Sequence, residues 1–348
     1  MKVLITSDWH LGVRNNSSLY HQIFTEWRDK FLIPQIQENN IDELAILADL
    51  YEDRSEINVK TDNLGTDSFD IILDNCKNIQ IKLLVGNHDI YFKNTLEVNS
   101  LKKFKKYERL EVIDSIVRRK VENRIIIYCP WLIKKDELKD FVEQYGKADI
   151  LFGHFDINGF QMVRGVPEKS GWNRTFFAEN FLRTFSGHFH LRDEQDGITY
   201  VGNPFQMQWG DYGNEKGIYI LDTNTLQTKF IPNTISPLYR KIYLSQLKEK
   251  KIDYNSLRGQ FIQLVLDSGF TDKILEKVIE VIRSKQPLSF TVEGDDRKTN
   301  LNVEEIQEAV TNPIEYLIAY EKELKLPEEI DRDELIKRTY EVYNDCQA

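Results

Sequence analysis

Cysteine is scarce in this 348-residue chain: Cys76, Cys129 and Cys346 stand far apart, with no Cys-x-x-Cys pair. That excludes a disulfide framework and a cysteine-based zinc knuckle. Long apolar runs are lacking too. None approaches the ~18 residues that cross a bilayer, so no membrane partner is expected. The apolar run after Met1 is closed within a few residues by Thr6-Ser7-Asp8, too short for a signal-peptide core, and a cytoplasmic protein is expected. Positive charge is in deficit, with 46 Lys and Arg against 56 Asp and Glu and a net charge of −10. A generally basic surface for nucleic acid is therefore excluded. The deficit is local, however. Residues 303–348 hold thirteen acidic and five basic side chains, a balance of −8 that leaves −2 for everything before them. Over 101–120 the sign reverses: Lys102, Lys103, Lys105, Lys106, Arg109, Arg118, Arg119 and Lys120 face Glu108, Glu111 and Asp114. This stretch, and Lys102, Lys103, Lys105 and Lys106 in particular, is a candidate contact for a phosphate backbone; a solvated, lysine-rich helix face explains it equally well.

What the chain has is ordinary globular composition, 41% hydrophobic and 29% charged, and enough length for one large core with small additions. β-rich runs at 2–6, 44–48, 81–85, 124–129, 149–152, 183–186, 198–201 and 217–221 alternate with amphipathic stretches such as 20–38 and 134–145. The class is α/β. Because the later strands come closer together, the pattern predicts a two-sheet α/β sandwich whose second sheet is largely antiparallel. Pro232 and Pro237 bracket a linker. Beyond it a strand (260–266), a helix (271–284) and a strand (288–292) predict a small α/β cap, and 303 onward reads as helical, with Asn312-Pro313 as a helix start. The expected domains are 1–235, 240–300 for the accessory cap, and 301–348 for C-terminal helices.

Five of the six histidines sit in short polar motifs, each just past the end of a predicted strand: Asp8-Trp9-His10, Gly86-Asn87-His88-Asp89, Gly153-His154 and Gly187-His188-Phe189-His190, with Asp49 ending another strand. In open α/β sheets that edge is where ligands bind, so these loops converge. His21 alone falls outside, on a helical face. Carboxylate, amide and imidazole donors without thiolate suit a catalytic pair of divalent cations such as Mn²⁺, Fe²⁺ or Zn²⁺, not a structural zinc site. Two such ions clamp a phosphoryl group and lower the pKa of a water, which points to hydrolysis of a phosphate ester.

The ordered set Asp8-x-His10, Asp49, Gly86-Asn87-His88-Asp89, Gly153-His154 and Gly187-His188-x-His190 resembles the calcineurin-like metallophosphoesterases. More narrowly, Ser7-Asp8-Trp9-His10-Leu11-Gly12, Cys129-Pro130-Trp131, Gly187-His188-Phe189-His190 and Gly202-Asn203-Pro204 are similar to the MRE/SbcD-type DNA nucleases, including those of large tailed phages. These motifs cover residues 1 to about 210. The resemblance implies one ion held by Asp8, His10, Asp49 and His190 and a second by Asp49, Asn87, His154 and His188, with Asp49 bridging. It implies His88 as the acid that protonates the departing sugar oxygen, with Asp89 orienting its ring. It implies Mn²⁺ as the preferred ion, ahead of Mg²⁺, Fe²⁺ or Zn²⁺, and 3′-to-5′ degradation of double-stranded DNA with some endonuclease activity. It also implies a homodimer, an ABC-type coiled-coil ATPase partner contacted through C-terminal helices, and a role in DNA repair, recombination and replication in the host cytoplasm. Two residues depart from the pattern: Ala48 stands where glycine usually precedes the bridging aspartate, and Glu52 stands where cellular members often carry histidine.

Two other classes compete. A metallophosphatase or small-molecule phosphodiesterase on the same scaffold needs no DNA path and no partner helices. A silent scaffold that recruits an ATPase has no support, because every expected ligand and His88 are present.

Overall fold

The computed structural model describes residues 1–248 and 252–294, together with Leu335 and Arg338. Apart from Leu335 and Arg338, the expected C-terminal helices at 301–348 and the last residues of the expected cap lie outside the described residues. Chain contacts divide the protein into two units, the first made of Met1–Lys241, Asp253–Gln263 and Asp272–Phe290, the second of Ile242–Ile252, Leu264–Thr271 and Thr291 onward.

Seventeen strands run in chain order among the described residues. Those of the first sheet are β1 (Lys2–Thr6), β2 (Glu43–Ile46), β3 (Gln80–Leu84), β4 (Leu110–Ile113), β13 (Gly217–Asp222) and β14 (Thr228–Pro232), ordered β14-β13-β1-β2-β3-β4. Those of the second are β5 (Val117–Val121), β6 (Arg124–Cys129), β7 (Ala148–His154), β10 (Phe181–Gly187), β11 (Asp193–Gln195) and β12 (Ile198–Tyr200), ordered β11-β12-β10-β7-β6-β5. Between β7 and β10 a small hairpin joins β8 (Gln161–Val163) to β9 (Val166–Pro167). β1 to β4 are mutually parallel. So are β6, β7, β10 and β12, which corrects the expected antiparallel second sheet: only its edge strands β5 and β11 run against their neighbours. The parallel pairs are instead joined through a helix (Asp136–Tyr145) between β6 and β7, the small hairpin and a helix (Arg174–Asn180) between β7 and β10, and the edge strand β11 between β10 and β12.

The alternation of side chains along a strand explains the layering. Val3 and Ile5 of β1, Ala45 of β2 and Leu84 of β3 meet Ile126, Tyr128, Ile150, Phe152 and Phe185 from the second sheet, making a core between the sheets. Leu4, Leu44, Ile46, Ile81 and Leu83 point the other way, into a core with Phe24, Trp27, Phe69 and Ile72 of the flanking helices. Ile127, Leu151, Phe177 and Phe181 form a third core on the far face of the second sheet. The first of these helical faces runs from Ser18–Trp27 through a π-helical turn (Arg28–Leu32) into Ile33–Glu38. The other is Val59–Asn75, started by Asn58, whose side chain accepts from the Lys60 amide at 2.9 Å.

In the accessory segment, β15 (Tyr239–Tyr243), β16 (Phe261–Val265) and β17 (Ser289–Glu293) form a three-stranded sheet, with the helix Asp272–Ser284 between the last two strands. These follow the expected strand, helix, strand order. Tyr239 stacks on Phe261 (4.5 Å between ring centroids), and Phe261 on Tyr20 (5.8 Å). Among the described residues no helix is long and apolar enough to cross a membrane.

Candidate metal centre

Every motif lies at the carboxyl end of a parallel strand. After β1 the alternation sends Asp8 and His10 to one side and Trp9 to the other, where its ring packs on Phe24 and Trp27 (centroids 5.1 and 5.6 Å away). The loops after β1 and β2 continue the parallel pairing: Asp8 N donates to Ala48 O (3.2 Å), His10 N to Asp49 O (3.1 Å) and Leu11 N to Leu50 O (2.8 Å). Asp8, His10, Ala48, Asp49 and His188 all have positive φ, a conformation that costs energy in a non-glycine residue and clusters at functional sites. Ala48, at φ +77°, therefore occupies a position where glycine is relaxed and alanine strained.

The seven side chains expected to hold ions meet in one place. Nε2 of His10 lies 3.8 Å from Asp8 Oδ1, 4.0 Å from Asp49 Oδ2 and 3.0 Å from Nε2 of His190. On the other side of Asp49, Nε2 of His154 is 3.1 Å from Oδ2, and Oδ1 of Asn87 is 3.0 Å from that nitrogen and 3.1 Å from Nδ1 of His188. Potential donor atoms of Asp8, His10 and His190 form one tight group, and those of Asp49, His154 and His188 another, each within 4.8 Å. Two glycines make this approach possible. A Cβ on Gly86 would sit 2.0 Å from Asp49 Oδ1, and one on Gly187 would sit 2.0 Å from Ser7 Oγ and 2.8 Å from His154 Nδ1.

His88 also lines the site, its ring 4.9 Å from that of His10. Its backbone N–H donates to Asp49 Oδ1 (3.0 Å), and its Nδ1 is 2.6 Å from the carbonyl of Glu52. The expected role of Asp89 needs correction. Buried beneath the loop, its carboxylate accepts from the amides of Gly86 (2.9 Å), Asp49 (3.0 Å), Leu50 (3.1 Å) and Tyr51 (3.3 Å), so it shapes the Asp49 turn and leaves the His88 ring to Glu52.

Charge divides the histidines. Burial alone would pull His10 and His154 down, but the carboxylates of Glu52, Asp49 and Asp8 outweigh it for His10, and those of Asp49 and Asp8 for His154, and each is raised to about 9. Burial and the neighbouring positive rings push His188 down to about 3 and His190 down to about 4. Asp49 is held below the usual carboxylate range: burial opposes this, and the charges of His154, His10 and His88 prevail. Two buried carboxylates, Asp8 and Asp49, thus have no Lys or Arg ion pair among the described residues and draw positive charge from a ring on each side. The donor set fits divalent ions, because a cation in each group supplies that charge and takes the lone pairs that protons otherwise occupy.

Some supporting residues had no role assigned from the sequence. Trp131 packs on His188 and His154, with centroids 5.0 and 6.0 Å away. Lys216 is fully buried, pairs with Asp211 (2.9 Å) and donates to the carbonyl of His190 (2.5 Å), which pins the loop carrying His188 and His190. The lysine stretch is no single helix face. It holds a 3₁₀ turn, Ser100–Lys106, then β4 and β5 in different sheets. Lys103 pairs with Asp62 beneath the Tyr51 ring, and Lys105 pairs with Asp114 (2.6 Å), so Lys102 and Lys106 carry the outward charge. His21 is buried, its Nε2 3.0 Å from Thr61 Oγ1.

A family described as calcineurin-like phosphoesterase matches residues 1–208, which include every one of these motifs. The chain is a calcineurin-like phosphoesterase. As a member of that family it is a metal-dependent enzyme, and its two mixed sheets are the family's scaffold. The phosphoesterase is also 28% identical over 350 residues to exonuclease subunit 1 of Enterobacteria phage T4, covering 99% of this chain and 98% of that protein. A solved archaeal phosphodiesterase aligns with 67% of the chain at 14% identity, with a TM-score of 0.36, too low to argue from.

Proposed function

We propose that this phosphoesterase is the nuclease subunit of a recombination and repair complex, cutting phosphodiester bonds of duplex DNA with two divalent ions. The observation that carries the two-ion reading is Asp49, whose carboxylate stands between the His10 and His154 groups and can be shared by both. Asp8, His10, Asp49 and His190 would hold one ion; Asp49, Asn87, His154 and His188 would hold the other. Bound there, the ions would polarise the phosphate and lower the pKa of an attacking water. As the shared ligand, Asp49 would set the spacing of the two positions. His88 would give its proton to the departing sugar oxygen from Nε2, because Nδ1 of the ring is taken by the Glu52 carbonyl. Mn²⁺ is the ion we favour, on the resemblance to the MRE/SbcD-type nucleases; the oxygen and imidazole donors suit Fe²⁺ or Zn²⁺ as well.

Likeness to the phage exonuclease subunit extends across the whole chain, past the catalytic domain, which favours a nuclease over a small-molecule phosphodiesterase. By the same reading the substrate is double-stranded DNA degraded 3′ to 5′ with accessory endonuclease action. The partners are a second copy of the chain and an ABC-type ATPase, all in the cytoplasm of the bacterial host. Lys102 and Lys106 are the surface cations offered to the DNA backbone. The deciding experiment follows end-labelled duplex DNA with Mn²⁺, comparing wild type with His88→Ser. The variant should retain both ions and lose cleavage by roughly 10²–10⁴-fold, the usual contribution of a positioned acid. Equal rates would remove His88 from the mechanism, and cleavage of a chromogenic phosphodiester without any of DNA would reinstate the small-molecule alternative.

A further inference from the structure

Glu52 touches both halves of the chemistry. Its carboxylate oxygen lies 2.7 Å from Nδ1 of His10, and its carbonyl oxygen lies 2.6 Å from Nδ1 of His88. The contact falls outside hydrogen-bond geometry and the buried Nδ1 of His10 has no other partner among the described residues, while the Glu52 side chain, 40% exposed, has room to turn toward it. The carbonyl has no such freedom. Glu52 N donates to Leu11 O (3.0 Å), and Leu11 bridges Tyr51 in parallel register, so this backbone is an extension of the β1 and β2 pairing.

We infer that Glu52 is a positioning residue that sets the tautomer of His10 with its side chain and of His88 with its backbone. The inference rests on the two-ion reading above. Histidine that binds a metal through one nitrogen commonly gives the N–H of the other to a carboxylate or carbonyl, and that partner fixes ring orientation and basicity. With Nδ1 of His10 engaged by Glu52, its Nε2 lone pair points toward Asp8, Asp49 and His190. With Nδ1–H of His88 on the Glu52 carbonyl, the Nε2 of that ring is the atom left to carry the transferable proton. One residue thereby aligns a ligand and an acid that come from different loops. The division between side chain and backbone is what makes it testable, since substitution removes only the first.

Titrating Mn²⁺ into the metal-free full-length chain by calorimetry should show two ions bound to wild type. In Glu52→Ala one of the two affinities should fall by about 10- to 100-fold, the range expected for loss of such a partner, while the other stays put. The Mn²⁺ concentration for half-maximal DNA cleavage should rise by a similar factor. The acid limb of the pH-rate profile should not move, because the carbonyl still holds His88. Glu52→Gln, which keeps an acceptor of the same length, should recover part of the lost affinity. Unchanged affinities in Glu52→Ala, an equal loss at both positions, or a shifted acid limb would overturn the inference. A wild type that binds a single ion would instead overturn the two-ion reading, and this inference with it.

Discussion

Replacing Gly86 by alanine isolates the contact on which Asp49 depends. The added Cβ would lie 2.0 Å from Asp49 Oδ1, 2.7 Å from Asp49 N and 2.9 Å from the Ala48 Cβ. Gly86 is not among the positive-φ glycines, so alanine meets no backbone objection there and would on its own add about 0.4–1 kcal/mol through the unfolded state. The collision outweighs that. Restoring ordinary contact requires the carboxylate to retreat by about 1.4 Å, and overpacking of this kind costs roughly 1–3 kcal/mol. The larger effect is on chemistry, because a displacement of about 1 Å at a reacting centre can cost on the order of 10²-fold in rate. The Gly86→Ala protein should therefore melt a few degrees lower, bind Mn²⁺ more weakly at both positions, and cleave about a hundredfold more slowly at saturating ion. Gly269, whose added Cβ would meet nothing within 4 Å, is the control, and Gly269→Ala should keep affinity and rate. Should Gly86→Ala take up two ions with undiminished affinity and cut at the normal rate, Asp49 is not the shared ligand.

Uptake of Mn²⁺ at pH 7 should release close to two protons, since His10 and His154, each raised to about 9, are charged before binding and must be neutral ligands after it. Calorimetry in buffers of different ionisation enthalpy measures this, and zero release would contradict the charge assignment. Glu43, buried against the Tyr128 hydroxyl at 2.6 Å, is raised to about 6 from 4.5, chiefly by burial. The folded state thus favours the protonated carboxyl: that stability is present below pH 4.5 and lost as pH rises to 6, a difference of about 2 kcal/mol. Glu43→Gln should accordingly gain up to that amount at pH 8 and nothing at pH 4, checked by urea unfolding; a loss at pH 8 would refute it. Neutralising Lys102 and Lys106 together should reduce the slope of log affinity against log salt for duplex DNA by about 1–2, and neutralising Lys103 and Lys105 should change it little. The reverse order would show that the ion pairs with Asp62 and Asp114 open to bind DNA.

The site was legible because its chemistry restricts residue type: few roles other than ligation explain Asp-x-His, Asn-His-Asp and His-x-His at successive strand ends. The strands carrying those motifs were legible for a related reason, their apolar runs being buried on both faces. What escaped depends on contacts distant in sequence. Glu52 and Lys216 are ordinary charged residues until the fold brings them to His10 and to the His190 carbonyl. The helix Val59–Asn75 escaped because Thr61, Asn63, Gly65, Thr66 and Ser68 are weak helix formers. Tertiary packing selects it, with Gly65 admitting the Tyr51 ring so closely that a Cβ would lie 3.1 Å from its Cζ. The parallel second sheet was missed because strand spacing reports connection length and not direction.

β1, which leads into Asp8 and His10, lies between β2 and β13, with Lys2 paired to Asp222 and Ile5 to Tyr219. β1 thus pairs with a strand more than two hundred residues further along the chain, and the last loop of the candidate site ends only at His190. A ribosome-bound chain cannot assemble the metal centre until nearly all of residues 1–208 has emerged. A phosphoesterase whose site draws on loops from residue 8 to residue 190 is inactive while unfinished, and this topology supplies that safeguard without any inhibitor.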